Sequence, residues 1–218
     1  INMSFQIVKN RKYWFALSGT LMVLSTVLIF TVGLKFGIDF TGGSLLEVEI
    51  PSQTIVSEEI RTQVESLGFQ SVSVQTAGSK GVIIRTESLS ETEHQEILAA
   101  LHEKYESMEE MRFDSIGPVI GNELRKTAMI GVLVTLLLIG LYIAWAFRKV
   151  SEPIASWKYG LLIIVAAIHD VLITVGAFSL LGYFFEWEIG TAFIAASLTI
   201  LGYSINDTVV VFDRTREN

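Results

Sequence analysis

No cysteine occurs anywhere in the 218 residues, so disulfides and thiolate metal sites are excluded. Histidine is nearly as scarce. His94, His102 and His169 are too few and too scattered to make a zinc set, and neither a metal nor a cofactor is expected. Charge is thin as well: 18% of the residues are Asp, Glu, Lys or Arg, against about a quarter in a typical soluble domain. Half the residues are apolar and the mean hydropathy is +0.50, which argues against a soluble protein. The shortage is local. Three regions hold almost no charge, whereas 35–125 holds 16 acidic and 7 basic residues and carries −9, more than the −7 of the whole chain.

Crossing about 30 Å of hydrocarbon takes roughly 20 apolar residues in a helix. Four stretches qualify: 14–34, 127–147, 159–181 and 189–212. The first is too long for the apolar part of a cleaved signal peptide, and no small-residue cleavage motif follows it. Lys9, Arg11 and Lys12 precede the first span, Arg148, Lys149 and Lys158 separate the second from the third, and Arg214 and Arg216 follow the fourth. With four crossings all of these fall on one side, which the positive-inside rule makes cytoplasmic. The expected layout is a cytoplasmic segment 1–13, an extracytoplasmic domain 35–126, a cytoplasmic loop 148–158, a short outer turn 182–188 and a cytoplasmic end 213–218. Trp14, Trp157 and Trp187 fall at span ends, where amphipathic rings prefer to sit. Membrane lipid is therefore an expected partner and nucleic acid is not.

The acidic segment reads as a βαββαβ unit. Residues 45–50 alternate as a strand, and 57–67 form a helix with Ile60, Val64 and Leu67 on one face and Gly68 as its stop. Strands 72–76 and 82–86 flank a hairpin loop over Ala77–Gly81. Ser90 and Glu93 make a capping box ahead of a helix with Ile97, Leu98, Leu101 and Tyr105 apolar. Residues 111–116 supply the last strand. This order fits a ferredoxin-like sandwich. Within the spans, Gly19, Thr26 and Gly33, and likewise Ala128, Gly131 and Thr135, predict faces where helices approach closely.

Ionisable residues inside apolar runs carry the chemical information. A carboxylate at membrane depth costs about 2.5–3.5 kcal/mol on the most lenient insertion scale, and so normally faces a bundle interior or a wet cavity. Asp170 sits in the middle of the third span with Ala166, Ala167, Thr174 and Ala177 on its face. Two readings stand: a structural hydrogen bond to a neighbouring helix, or a part in proton movement. His169 is adjacent but turned by about 100°, off that face. Asp207 lies in the fourth span in the run Ser204-Ile205-Asn206-Asp207-Thr208. Ser204 and Thr208 flank it and Ser197 lies two turns before Ser204, a polar stripe suited to a hydrated path. The alternative is interfacial, since about 9 Å of helix separates Asp207 from Asp213. Two glycine turns complete the candidates. Gly37-Ile38-Asp39-Phe40-Thr41-Gly42-Gly43 follows the first span, and Gly117-Pro118-Val119-Ile120-Gly121 precedes the second. Gly42-Gly43 lacks the lysine of a phosphate-binding loop.

Those two turns, His169-Asp170-Val171 and the run 201–218 (LGYSINDTVVVFDRTREN) together resemble the SecF family, membrane subunits that partner SecD in the accessory complex of the Sec protein-export machinery. The resemblance spans nearly the whole chain. It implies half of an RND-type transporter with six spans, two of them beyond Asn218. It also implies proton-motive-force-driven export of unfolded polypeptides rather than a conventional enzyme. Implied partners are SecD, separate or fused, the SecYEG channel, and accessory proteins of the YajC and YidC kind, in the bacterial cytoplasmic membrane. Asp207 matches the family's proton-conducting aspartate, whose basic partner belongs to the fifth span. Two alternatives are an RND-like proton-coupled exporter of lipids or small molecules, which generally carries a larger outer domain, and an aspartyl protease pairing Asp170 with Asp207. The protease needs two facing carboxylates and a Gly-x-Gly-Asp motif that Ser-Ile-Asn-Asp does not supply.

Overall fold

The computed structural model describes residues 9–51, 56–148 and 155–217. Residues 1–8 of the N-terminal segment, Lys149 with most of the 148–158 loop, the Arg216 side chain and Asn218 lie outside the described residues. Two compact units result, one from 1–35 with 128–218, the other from 36–127.

The second unit opens with a four-residue helix, α2 (Ile38–Thr41), and continues as β1 (Gly43–Glu49), α3 (Ser57–Ser66), β2 (Ser73–Ala77), β3 (Gly81–Thr86), α4 (Glu91–Lys104) and β4 (Glu109–Ile116). The strands form one antiparallel sheet in the order β2-β3-β1-β4. Alternation sets its faces: Leu46, Val48, Val82 and Ile84 point into the core. The helices close over them with Ile60 and Val64 from α3 and Ile97, Leu98 and Leu101 from α4, all buried. Local chemistry fixes the ends of these elements. Ser90 accepts from the Glu93 amide while the Glu93 carboxylate accepts from the Ser90 amide at 2.7 Å, so α4 starts on a complete capping box. Gly68 ends the α3 turn at φ +99° and Gly78 turns the hairpin at φ +70°. Ring stacking at 3.7 Å between buried His94 and Phe113 ties α4 to β4.

The first unit holds the long helices: α1 (Arg11–Thr31), the larger part of α5 (Pro118–Ala146), α6 (Ser156–Phe185) and α7 (Thr191–Glu217). Each is long and apolar enough to cross a membrane. Helix and apolar run do not coincide. α5 begins nine residues before its expected span, because Pro118 suits the first turn of a helix and the polar run Asn122–Lys126 does not interrupt one. α1 begins three residues early and ends before Gly33, whose φ of +84° lets its amide turn back to the Leu28 carbonyl. α6 begins three residues before its span and runs four residues past it, to Phe185.

Close helix approach uses small residues, though not those expected. Gly19 and Gly131 have open space where a side chain would stand. Contact falls instead on Ser25 against Gly176, joining α1 to α6, and on Gly140 against Gly160, joining α5 to α6. Ser179 donates to the carbonyl of Leu28 at 3.1 Å or of Gly33 at 2.6 Å. Pairs 18/169, 25/176 and 28/179 share an offset of 151, so α1 and α6 lie parallel and in register. The loop after α1 is held by Lys35, whose carbonyl accepts from Ile189 at 2.8 Å and whose ammonium pairs with Glu186. Where α5 ends and α6 begins, Phe147 and Tyr159 stack at 5.2 Å, and Phe212 of α7 meets Tyr159 edge-on.

Candidate functional site

Asp170 is held from two sides. Its Oδ2 accepts a short hydrogen bond from Ser204 of α7, and its Oδ1 lies 2.8 Å from His169 Nδ1. The other ring nitrogen of His169, Nε2, is 2.6 Å from Ser18 Oγ on α1. One hydrogen-bonded chain, Ser18–His169–Asp170–Ser204, therefore links three long helices. Both central groups are about two-thirds buried, with side chains 29% and 32% exposed.

This corrects the expectation that His169 stands apart from Asp170. Their Cα–Cβ directions do diverge around the helix, but the imidazole reaches back across one residue while its far edge meets α1. α1 approaches closely because Ser25 and Gly176 present no bulk one pair of turns further on. Thr174 donates to the Asp170 backbone carbonyl at 2.8 Å and Thr208 to that of Ser204, so both hydroxyls are spent on their own helices.

The structure treats Asp207 differently. Asn206 and Asp207 are exposed on α7, and among the described residues Asp207 makes no hydrogen bond or ion pair. Ser197, at the other end of the expected stripe, is buried against an apolar groove of about 320 Å³ lined by Val132, Val171 and Phe193. The stripe is thus not one continuous face: Ser204 turns to Asp170, Ser197 to apolar neighbours, and Asp207 outward. Asp170 and Asp207 do not form the facing, proton-sharing pair that a protease needs.

The two glycine turns meet each other. A side chain on Gly42 would stand 2.6 Å from the Pro118 Cα, and one on Gly121 would stand 2.7 Å from the Gly42 amide nitrogen. Gly43, at φ +123°, lies equally close to the Thr86 carbonyl. Gly37 precedes α2, Asp39 occupies its first turn, and the Gly42 amide closes it onto the Ile38 carbonyl. Gly117, Pro118 and Gly121 are not a free connector but the opening turn of α5, with the Gly121 amide bonded to Gly117 O at 3.0 Å. Ser18, Gly140, Gly160 and Gly176 were not picked out by sequence reasoning. Ser18 and Ser25, seven apart in one span, were the available signal for the first.

Four hydrocarbon-length helices, a small antiparallel α/β unit between the first two, and a carboxylate bonded across three of the helices define a multi-span membrane protein with a polar site inside its helical unit. Residues 96–218 match the family described as protein export membrane protein SecD/SecF, C-terminal, and residues 27–50 match the SecD/SecF GG motif, which takes in Gly42 and Gly43. A protein translocase subunit SecF from Anaerolinea thermophila is 35% identical over 97% of this chain and 68% of its own length. One from Haemophilus influenzae is 36% identical over 98% of the chain and 62% of its own length. The crystal structure of SecDF, a translocon-associated membrane protein from Thermus thermophilus, superposes with a TM-score of 0.81 at 34% identity. It covers all of this chain, which spans 28% of the SecDF chain. A super-membrane-facing form of SecDF matches with a TM-score of 0.60 at 33% identity. The chain belongs to the SecF family of protein translocase subunits.

Proposed function

We propose that the chain is the SecF half of an RND-type, proton-coupled machine that works with SecD to promote movement of unfolded polypeptides across the bacterial cytoplasmic membrane. The observation that carries this reading is an intramembrane carboxylate, Asp170, hydrogen-bonded to two neighbouring side chains in a chain of this family. A group so placed can take and release a proton while its helices hold it. One elementary charge moved across 100 mV is worth about 2.3 kcal/mol, which biases a two-state equilibrium roughly forty-fold. Asp207 is the other proton-carrying group.

Topology follows the same reading. Because α1 and α6 are parallel, Arg11 and Lys12 fall at the same end of the helical unit as Lys158. That end is cytoplasmic, and the 36–127 unit is extracytoplasmic. Its sheet order and βαββαβ sequence support a ferredoxin-like assignment, suited to contacts with SecD, with the SecYEG channel, or with emerging polypeptide. Proton-driven export in membranes carrying the full-length Asp207→Asn protein tests the proposal. Loss of the proton-dependent component, with assembly intact, is expected. Undiminished proton-driven export would remove Asp207 from the relay.

A further inference from the structure

The chain Ser18–His169–Asp170–Ser204 has a direction set by which groups can donate. An ionised carboxylate only accepts. Ser204 donates to Asp170 Oδ2, and Oδ1 at 2.8 Å from His169 Nδ1 needs a donor there as well. With Asp170 ionised, Nδ1 carries the hydrogen of the neutral ring, leaving Nε2 as an acceptor. The Ser18 hydroxyl, 2.6 Å away, must donate to it. One added proton reverses that last bond. An imidazolium donates from both nitrogens, so Ser18 must accept from Nε2–H and send its own hydrogen back along α1, toward the carbonyl four residues earlier.

We propose that His169 and Asp170 bind one proton as a unit, and that Ser18 is the positioning residue that couples this proton to α1 by reversing its hydrogen bond. Among the described residues no other side chain is hydrogen-bonded to the His169 ring. Between residues 14 and 31, α1 carries no ionisable side chain, so Ser18 is the polar group facing the ring from that side. On α7 the titratable residues nearest Ser204 are Tyr203 and Asp207, both exposed, with Asp213 and Arg214 further along. On α5 between 127 and 146, Tyr142 is the only titratable residue and it is exposed. α6 adds Lys158, Tyr159 and Tyr183, all at least ten residues away in sequence from the pair. The proton is thus shared between His169 and Asp170 and felt directly by Ser18 and Ser204.

Ser18 matters unequally to the two states. Without its hydroxyl, the unprotonated pair loses a hydrogen bond to a neutral ring, whereas the protonated pair loses an acceptor for a charged donor, a bond roughly twice as strong. This inference rests on the reading of the chain as proton-coupled, but its test needs no translocation. The full-length protein with its partner subunit, carrying ¹⁵N-labelled histidine, is reconstituted in vesicles and titrated by solid-state NMR. His169→Gln assigns the signal against those of His94 and His102. The uncharged ring is expected in its Nδ1–H form. Ser18→Ala is expected to need about fivefold more protons to protonate the pair, with Ser18→Thr restoring the wild-type curve. An Nε2–H ring in the wild type, or a Ser18→Ala curve superimposed on the wild type, overturns the proposal. Should Ser18→Ala not assemble, the wild-type tautomer alone decides. A failed Asp207→Asn export assay would leave this site standing, and a failed titration here would leave the export reading standing.

Discussion

Replacing Gly42 by alanine tests the contact between the two glycine motifs. Gly42 has φ +76° and ψ 169°, a region open in practice only to glycine. Holding another residue there costs about 1–3 kcal/mol. The new methyl would also stand 2.6 Å from Pro118 Cα and 2.8 Å from Pro118 N, which are backbone atoms of α5's first turn and cannot swing aside. Overpacking of this kind adds about 1–3 kcal/mol. The two effects together reach about 2–6 kcal/mol, a large share of the 5–15 kcal/mol that holds a typical domain. Gly78→Ala isolates the first effect, since Gly78 has φ +70° but open space around it, and should cost about 1–2 kcal/mol. Urea-dependent pulse proteolysis of the detergent-solubilised protein, following cleavage within 36–127, measures both variants side by side. Gly42→Ala must be clearly the weaker. If the two variants unfold at the same urea concentration, the packing of Gly42 on Pro118 contributes nothing and the reasoning fails.

Two further outcomes follow from the same geometry. Gly176→Leu would drive a side chain into Ser25 and part α1 from α6; cysteine crosslinking between positions 28 and 179 should fall sharply, while Gly19→Leu, facing open space, leaves it unchanged. Glu93 accepts hydrogen bonds from the Ser90 amide and hydroxyl, which hold its carboxyl below the usual range. A lowered folded value gives stability that is complete above the unfolded glutamate value and is lost as pH falls through the folded one. Amide-exchange protection at the start of α4 should therefore drop on acidification in the wild type, whereas Glu93→Gln, whose neutral amide can still cap, should show no step in that window.

What could be read from the sequence was mostly local. Ser90 and Glu93 announce their capping box because the partners are three residues apart, and the Ala77–Gly81 hairpin is equally short-range. Period-two alternation in β1 and the apolar face of α4 place Val48, Ile97 and Leu101 inside. Meetings across long separations were invisible. Gly42 and Gly121 each read as a turn, and nothing in either motif tells that they touch. The small-residue rule recognised that α1 has a packing face but selected Gly19–Thr26, one residue away from the Ser18–Ser25 face that is used, since a helix with small residues in adjacent positions offers two candidate stripes. Hydropathy marked hydrocarbon rather than helix, and so missed the nine residues, Pro118 to Lys126, by which α5 begins early. Backbone angle alone separates His169 from Asp170, but an imidazole is long enough to return to its neighbour's carboxylate.

The constant offset of 151 between α1 and α6 has a consequence for how the protein is made. Chains grow at about 5–20 residues per second, so the first helix leaves the ribosome roughly 8–30 s before its mate. Through that interval Ser18 and Ser25 lack their α6 partners, although the helix that carries them is already long and apolar enough to cross a membrane. All four strands lie between residues 43 and 116, so the sheet can be complete before the second long helix has been synthesised. The helix pair that holds His169 and Asp170 is then among the last contacts to close, and the intramembrane polar chain assembles only once the rest of the molecule is committed to its place in the bilayer.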